Sequence, residues 1–336
     1  MLHRPIESAY SLRSFRCSRR MITIDRNSAG QPGLYKSSGT RYRSYTVTNE
    51  LRVAIDVRNE LGEGVIWHGG RQQLIWFDIY RKCMFLGNAD GSGITAYGFG
   101  EPVSAAFIVD DDSLLIASAS GLLSLDLESG ETETAHEIEA DRAETRPNDC
   151  RAAPGNSVWF STMSEPSEQA ASIYHYRNGE LTAIFKDLHC PNAICFSPAG
   201  DRGYFSDTFD HKIMTCTVDA ETGLPTGDPE VFVDLTAKGA NPDGAAVDAE
   251  GCLWSAHWDG GKVARYRPDG SLDRTIVLPA PQTTCPCLGG PELKTLFVTT
   301  GFGWMPPEKA AAYPLSGAIF AVEVEVPGLP ERTVVI

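Results

Sequence analysis

The sequence predicts an all-β chain: a six-bladed β-propeller of four-stranded blades over residues 49–336. Three observations predict it. Short apolar runs are separated by turn signals rich in Gly, Pro, Asn and Asp, roughly every ten residues. A longer period of about 40–50 residues overlies that rhythm. A local pattern also recurs, Pro then Asn or Asp, a short strand, then a turn, at 146–155, 190–200 and 241–251. No 12-residue amphipathic stretch argues for a long helix.

In order, strands are expected at 53–57, at 73–78 after Gly69-Gly70, and at 84–86 before the turn 88–91. The run 103–109 leads to the acidic turn Asp110-Asp111-Asp112, followed by 113–117 and 122–126. The pattern continues at 158–161, 172–176, 181–185, 203–206, 212–216, 252–256, 262–266, 295–300 and 318–322. Residues that open each unit are Glu63, Val103, Asn148, Asn192, Asp243 and Thr284, at steps of 40, 45, 44, 51 and 41. The long step contains 219–228, which reads as an extended hairpin loop. The second strand of most units is aromatic, as in Leu74-Ile75-Trp76-Phe77 and Val158-Trp159-Phe160. Six such units make six blades. The strand at 53–57 precedes the first unit, and is expected to supply the outer strand of the last and so close the ring.

Composition narrows the function. A net charge of −15 argues against a nucleic-acid partner. No apolar run approaches the roughly 20 residues of a membrane helix. Nine Cys, with no C-x-x-C pair, read as buried thiols of a reducing, cytoplasmic protein. Residues 1–48 stand apart. The first 50 residues hold nine Lys and Arg against three Asp and Glu, leaving 20 against 41 for the rest. This Arg- and Ser-rich segment lacks an apolar signal core. It superficially fits a transit peptide, and is expected to be a disordered tail or a mis-assigned start.

In a propeller the first strand of each blade lines the central channel, so residues opening those strands meet at one mouth. That brings Glu63, Arg146, Asn148, Asn192 and Asp243 together. Pro242-Asp243-Gly244 reads as a stiff corner that aims the carboxylate. Glu63, Asn192 and Asp243 offer two carboxylates and an amide oxygen, a hard oxygen-only set suited to Ca²⁺, Mg²⁺ or Mn²⁺. Zn²⁺ would lack its usual His or Cys. A cation there can polarise a carbonyl and acidify a water, and Asp243 is the candidate base for that water. Arg146 supplies a donor fork, and Asn148 can donate and accept.

Ordinary alternatives exist for each residue: a solvated turn Glu63, turn residues at Asn148, Asn192 and Asp243, and an Arg146–Glu144 surface pair. His257 could approach the channel or be a buried, satisfied histidine. Met163 could wall the pocket, and Phe302 and Trp304 could cap it. No G-x-S-x-G, H-E-x-x-H or P-loop signature is present.

Several stretches resemble the SMP-30/gluconolactonase (regucalcin) family. They are Leu61-Gly62-Glu63-Gly64, Arg146-Pro147-Asn148-Asp149, 191–198, 242–251 and 289–300. The resemblance covers roughly residues 52–330. It implies a propeller that hydrolyses sugar-acid lactones to aldonic acids with one divalent cation (Ca²⁺, Mn²⁺, Mg²⁺ or Zn²⁺). Carried over by motif, Glu63, Asn192 and Asp243 are the metal ligands, with Asp243 as base. Arg146 and Asn148 bind substrate. The expected partner is therefore a small-molecule sugar lactone, with no nucleic acid and no membrane, for a monomer or weak homo-oligomer. The competing reading is a calcium-binding regulatory or ligand-binding propeller without turnover. Cys150, Ala193 and Val65 depart from the usual family residues (at Ala193, Gly; at Val65, Pro) without removing a ligand.

Overall fold

The computed structural model describes residues 22–24, 50–164 and 170–335. Among them the strands form six antiparallel sheets arranged as the blades of a six-bladed β-propeller. The innermost strands are Gly62–His68, Val103–Ile108, Thr145–Ala153, Pro191–Phe196, Asn241–Val247 and Thr283–Gly289. Each unit opener read from the sequence lies in one of these strands. The sixth sheet orders Thr283–Gly289, Thr295–Thr300, Ile319–Glu323 and then Arg52–Ile55 at its outer edge. Val53 pairs with Phe320 there. The reading of residues 1–48 lies outside the described residues, except that Ile22–Ile24 pairs with Ile94–Gly98 as a fifth strand on the first sheet.

The core is divided. Six apolar clusters fill the six wedges between neighbouring blades. The aromatic second strands supply the largest members: Trp76, Trp159, Trp254, Phe77, Phe160 and Phe297 are fully buried. Burying each such side chain contributes about 1.5–3 kcal/mol. The hairpin loop at 219–228 caps the third blade, where Trp159 Nε1 donates to the Gly223 carbonyl (2.8 Å).

The two ends of the channel differ. At one end the inner strands open into a cavity. At the other the chain's last described residues cross the axis. The Gly328 amide donates to Leu293 O (2.7 Å), Val334 N donates to Ile108 O, and Glu331 pairs with Arg151 at 3.1 Å.

Candidate active site

Every innermost strand is interrupted by a β-bulge. The register shifts lie between Glu63 and Ile66, Val103 and Ala105, Pro147 and Cys150, Asn192 and Cys195, Pro242 and Ala245, and Thr283 and Pro286. A bulge re-aims side chains and leaves backbone groups out of the ladder. Side chains from neighbouring segments take up several of them. Ser104 Oγ donates to Asn148 O (2.6 Å), Thr208 Oγ1 to Pro242 O (2.8 Å), and Thr284 Oγ1 to Gly62 O (2.6 Å). The Ile194 amide donates to Asp149 Oδ2 (2.7 Å). These bonds tie blade to blade around the axis.

The bulges correct one expectation. Pro242-Asp243-Gly244 is not a corner before a strand; it lies inside the strand Asn241–Val247. The proline is tolerated because this strand is the inner edge of its sheet. Gly244 is needed for close approach rather than for a turn: a Cβ there would sit 2.8 Å from Cys285 Sγ. Gly64 does have the left-handed backbone (φ 55°), and a Cβ there would lie 2.0 Å from Ser104 O. Ala193 adopts the same φ of 55°, at the position where the family usually has Gly. The turn expected at 248–251 is present, closed by Gly251 N to Asp248 O (2.9 Å).

A cavity of about 560 Å³ opens at this end, and Glu63, Arg146, Asn148, Asn192 and Asp243 all line it. The last four are buried and Glu63 is half-buried. One chain of hydrogen bonds orders most of them. Arg146 Nη1 donates to Asn148 Oδ1 (3.0 Å), and Asn148 Nδ2 donates to Asn192 Oδ1 (3.0 Å) and Pro191 O (2.8 Å). Asn192 Nδ2 donates to Thr208 Oγ1 (2.8 Å), which itself donates to Pro242 O. Blades three, four and five are thereby joined beside Asp243. Asn148 engages its acceptor and both donors within the protein, so it sets Arg146 and Asn192 in place.

The carboxylates repel one another in a desolvated space. Burial, and then the Asp149 charge, push Glu63 up to about 8, against the opposing pull of the Gly64 amide and Arg146. Asp243 is raised well above the usual range by burial, then by the charges of Glu63 and Asp149. Burial also lifts Asp149 to about 6, although Arg151 and the Ile194 amide favour its ionised form. Among the described residues no three His, Cys, Asp or Glu side chains cluster as a metal site, so an oxygen-donor set here depends on the Asn192 amide.

Other expectations resolve as follows. Glu144 pairs with Arg142 (3.1 Å), while Arg146 is buried in the cavity wall. His257 does not line the cavity; it is buried against the Tyr266 ring, with Nε2 3.3 Å from the Tyr266 hydroxyl. Met163 and Trp304 do line the cavity, whereas Phe302 packs beneath Arg58. Of the eight described cysteines seven are buried, and Cys190 is half-buried in the cavity wall. Sequence reasoning missed Thr208 and the role of Asp149. Asp149 stood in the quoted Arg-Pro-Asn-Asp motif and was the available signal. Thr208 lies in the short helix Thr208–Asp210, outside any recurring motif.

A six-bladed propeller with two carboxylates, an asparagine amide and an arginine at one end of its channel defines a class of small-molecule site. Residues 61–302 match the SMP-30/Gluconolactonase/LRE-like region, and the chain belongs to that family. It is 32% identical to L-arabinolactonase of Azospirillum brasilense over 282 residues, covering 82% of this chain and 92% of that one. It is also 32% identical to the 6-deoxy-6-sulfogluconolactonase of Pseudomonas putida, over 84% of this chain and 97% of the relative. Among solved structures, a calcium-binding regucalcin from Agrobacterium tumefaciens superposes with a TM-score of 0.83 at 35% identity, covering 84% of this chain and 97% of that one.

Proposed function

We propose that this protein hydrolyses a sugar lactone to its aldonic acid at the cavity that Glu63, Asn192 and Asp243 share with Arg146. The observation behind the reading is the convergence of these side chains from four blades on one cavity, in a chain whose relatives are named sugar lactonases.

The residues fit a hard divalent cation. Two carboxyl groups with raised pKa values face the same cavity, and the third donor is an amide oxygen. Such a set suits Ca²⁺, Mg²⁺ or Mn²⁺ better than Zn²⁺. When bound, the cation supplies Lewis acidity toward the lactone carbonyl and the attacking water. Asp243 accepts the proton of that water as its oxygen bonds to the carbonyl carbon. Arg146, oriented by Asn148, stabilises the oxyanion. The ring C–O bond then breaks, and the departing alkoxide takes up a proton to give the open hydroxy acid.

The test is a pH-indicator assay over γ- and δ-aldonolactones, with the protein untreated, exhaustively chelated, and reloaded with single metals. Acid release that is lost on chelation and restored by a metal is expected. Release that survives exhaustive chelation would remove the cation from the reaction. The regucalcin relative supports a second reading, calcium binding without turnover. That reading predicts Ca²⁺ binding with no acid release from any lactone, and leaves the Arg146–Asn148 pair without a task.

A further inference from the structure

The cavity has two halves of different chemistry. Its inner half holds the carboxylates, Asn192 and Arg146. Its outer half is aromatic, with rings from four blades. Trp304, in the segment after Thr295–Thr300, packs edge-on against Trp258, with centroids 6.2 Å apart and planes at 86°. The Trp304 indole N–H donates to the Tyr80 hydroxyl. Met163 and Phe209 add further apolar wall. Trp304 is 59% exposed and Phe209 54% exposed, so this rim presents large apolar faces to the cavity mouth.

Three polar groups at the rim each hold one partner. Asp259 is paired with Lys309 at 2.8 Å. The Tyr80 hydroxyl accepts from Trp304, and Asn241 Nδ2 donates to Trp258 O (3.4 Å). Among the described residues lining the cavity, Arg146 is the only Arg or Lys, and it belongs to the inner half.

We propose that the aromatic rim is the subsite for the end of the substrate farthest from the lactone carbonyl, and that it selects an uncharged lactone with a deoxy or alkyl terminus. The proposal rests on the lactonase reading and deepens it. Trp304 covers the C–H face of that terminus, and aromatic rings bury such faces well. A terminal hydroxyl laid against the Trp304 ring face loses water there, and the face itself offers it no hydrogen-bond partner. A terminal sulfonate or phosphate would meet Asp259, whose carboxylate already holds the Lys309 ammonium at 2.8 Å. In that respect the site differs from one built for the sulfonated sugar in the name of the Pseudomonas putida relative.

The test compares L-rhamnono-1,4-lactone with L-mannono-1,4-lactone, which differ only by the terminal hydroxyl, and adds 6-phosphogluconolactone against gluconolactone. Expected is a kcat/KM about 10–100-fold higher for the deoxy lactone, mostly through KM. The phosphorylated lactone should be the poorer of its pair. Trp304→Ala should lower the rhamnonolactone value about tenfold and shrink the rhamnono/mannono ratio, and Trp304→Phe should preserve that ratio. Equal or inverted preference, or a ratio unchanged in Trp304→Ala, overturns the proposal.

Tryptophan emission is followed in parallel as rhamnonate and mannonate are added, so that binding is read without turnover. No turnover with any lactone or metal defeats the lactonase reading alone. The rim is then judged on binding: tighter rhamnonate with a blue shift lost in Trp304→Phe supports it, and equal binding overturns it.

Discussion

The two mouths of the channel are built from the same six inner strands, yet they treat charge in opposite ways. At the cavity mouth, Glu63 and Asp243 face one another with pKa values forced upward. At the far mouth, Arg151 and Glu331 are an opposite-charge pair, and Arg151 also donates to Ala245 O (3.1 Å). The first arrangement stores unfavourable electrostatics that a cation, on the proposed reading, would relieve. The second pairs opposite charges and has no such demand. Substitutions should therefore affect activity at one end and stability at the other.

The largest effect belongs to the cavity. Asp243→Ala or Glu63→Ala should reduce lactone hydrolysis by about 10²–10⁴-fold. The melting temperature of the metal-free protein should hold or rise, because a buried carboxyl group that burial disfavours is removed. Wild-type rates in either variant would take that carboxylate out of the mechanism.

At the far mouth the signs reverse. Glu331→Ala leaves the buried Arg151 guanidinium without its carboxylate and should cost about 1–3 kcal/mol in denaturant unfolding. Hydrolysis by the folded fraction should be unchanged. Lost turnover without lost stability would show that the two mouths are not independent.

The smallest effect concerns the wall between them. Burial lowers His257 to about 4, with the Lys262 and Lys238 charges adding to the shift. The unfolded chain protonates near the ordinary value of about 6.5, while the folded chain stays neutral until about 4. Stability should therefore fall as pH drops through that window, and His257→Gln should flatten the slope in urea titrations. An unchanged slope would assign the acid sensitivity to other groups.

Much of this comparison was legible in the sequence, and only on one side. Asn148, Asn192 and Asp243 sit in recurring Pro-Asn and Pro-Asp motifs and Glu63 in Leu-Gly-Glu-Gly, each opening a blade, so their convergence followed from the repeat. The far mouth had no such signal. Glu331 meets Arg151 only because the last residues cross the axis, and a contact so remote in sequence leaves no periodic trace. The bulges were hidden for a different reason. Pro242, Asp243 and Gly244 are favoured in turns, and here they serve an edge strand crowded by its neighbour. Burial likewise separated His257 from the cavity, although its strand position suited an approach to the channel.

The sixth sheet has a consequence in time as well as in space. Val53 is synthesised before any of the repeating units, yet its partner Phe320 emerges near the end of the last of them. Five sheets can assemble on the growing chain while residues 52–55 wait as an unpaired edge. Joining them to Ile319–Glu323 is the most non-local step in the molecule, and such long-range pairing is slow. A nascent or truncated chain arrested before residue 319 would expose that strand to pairing with other chains.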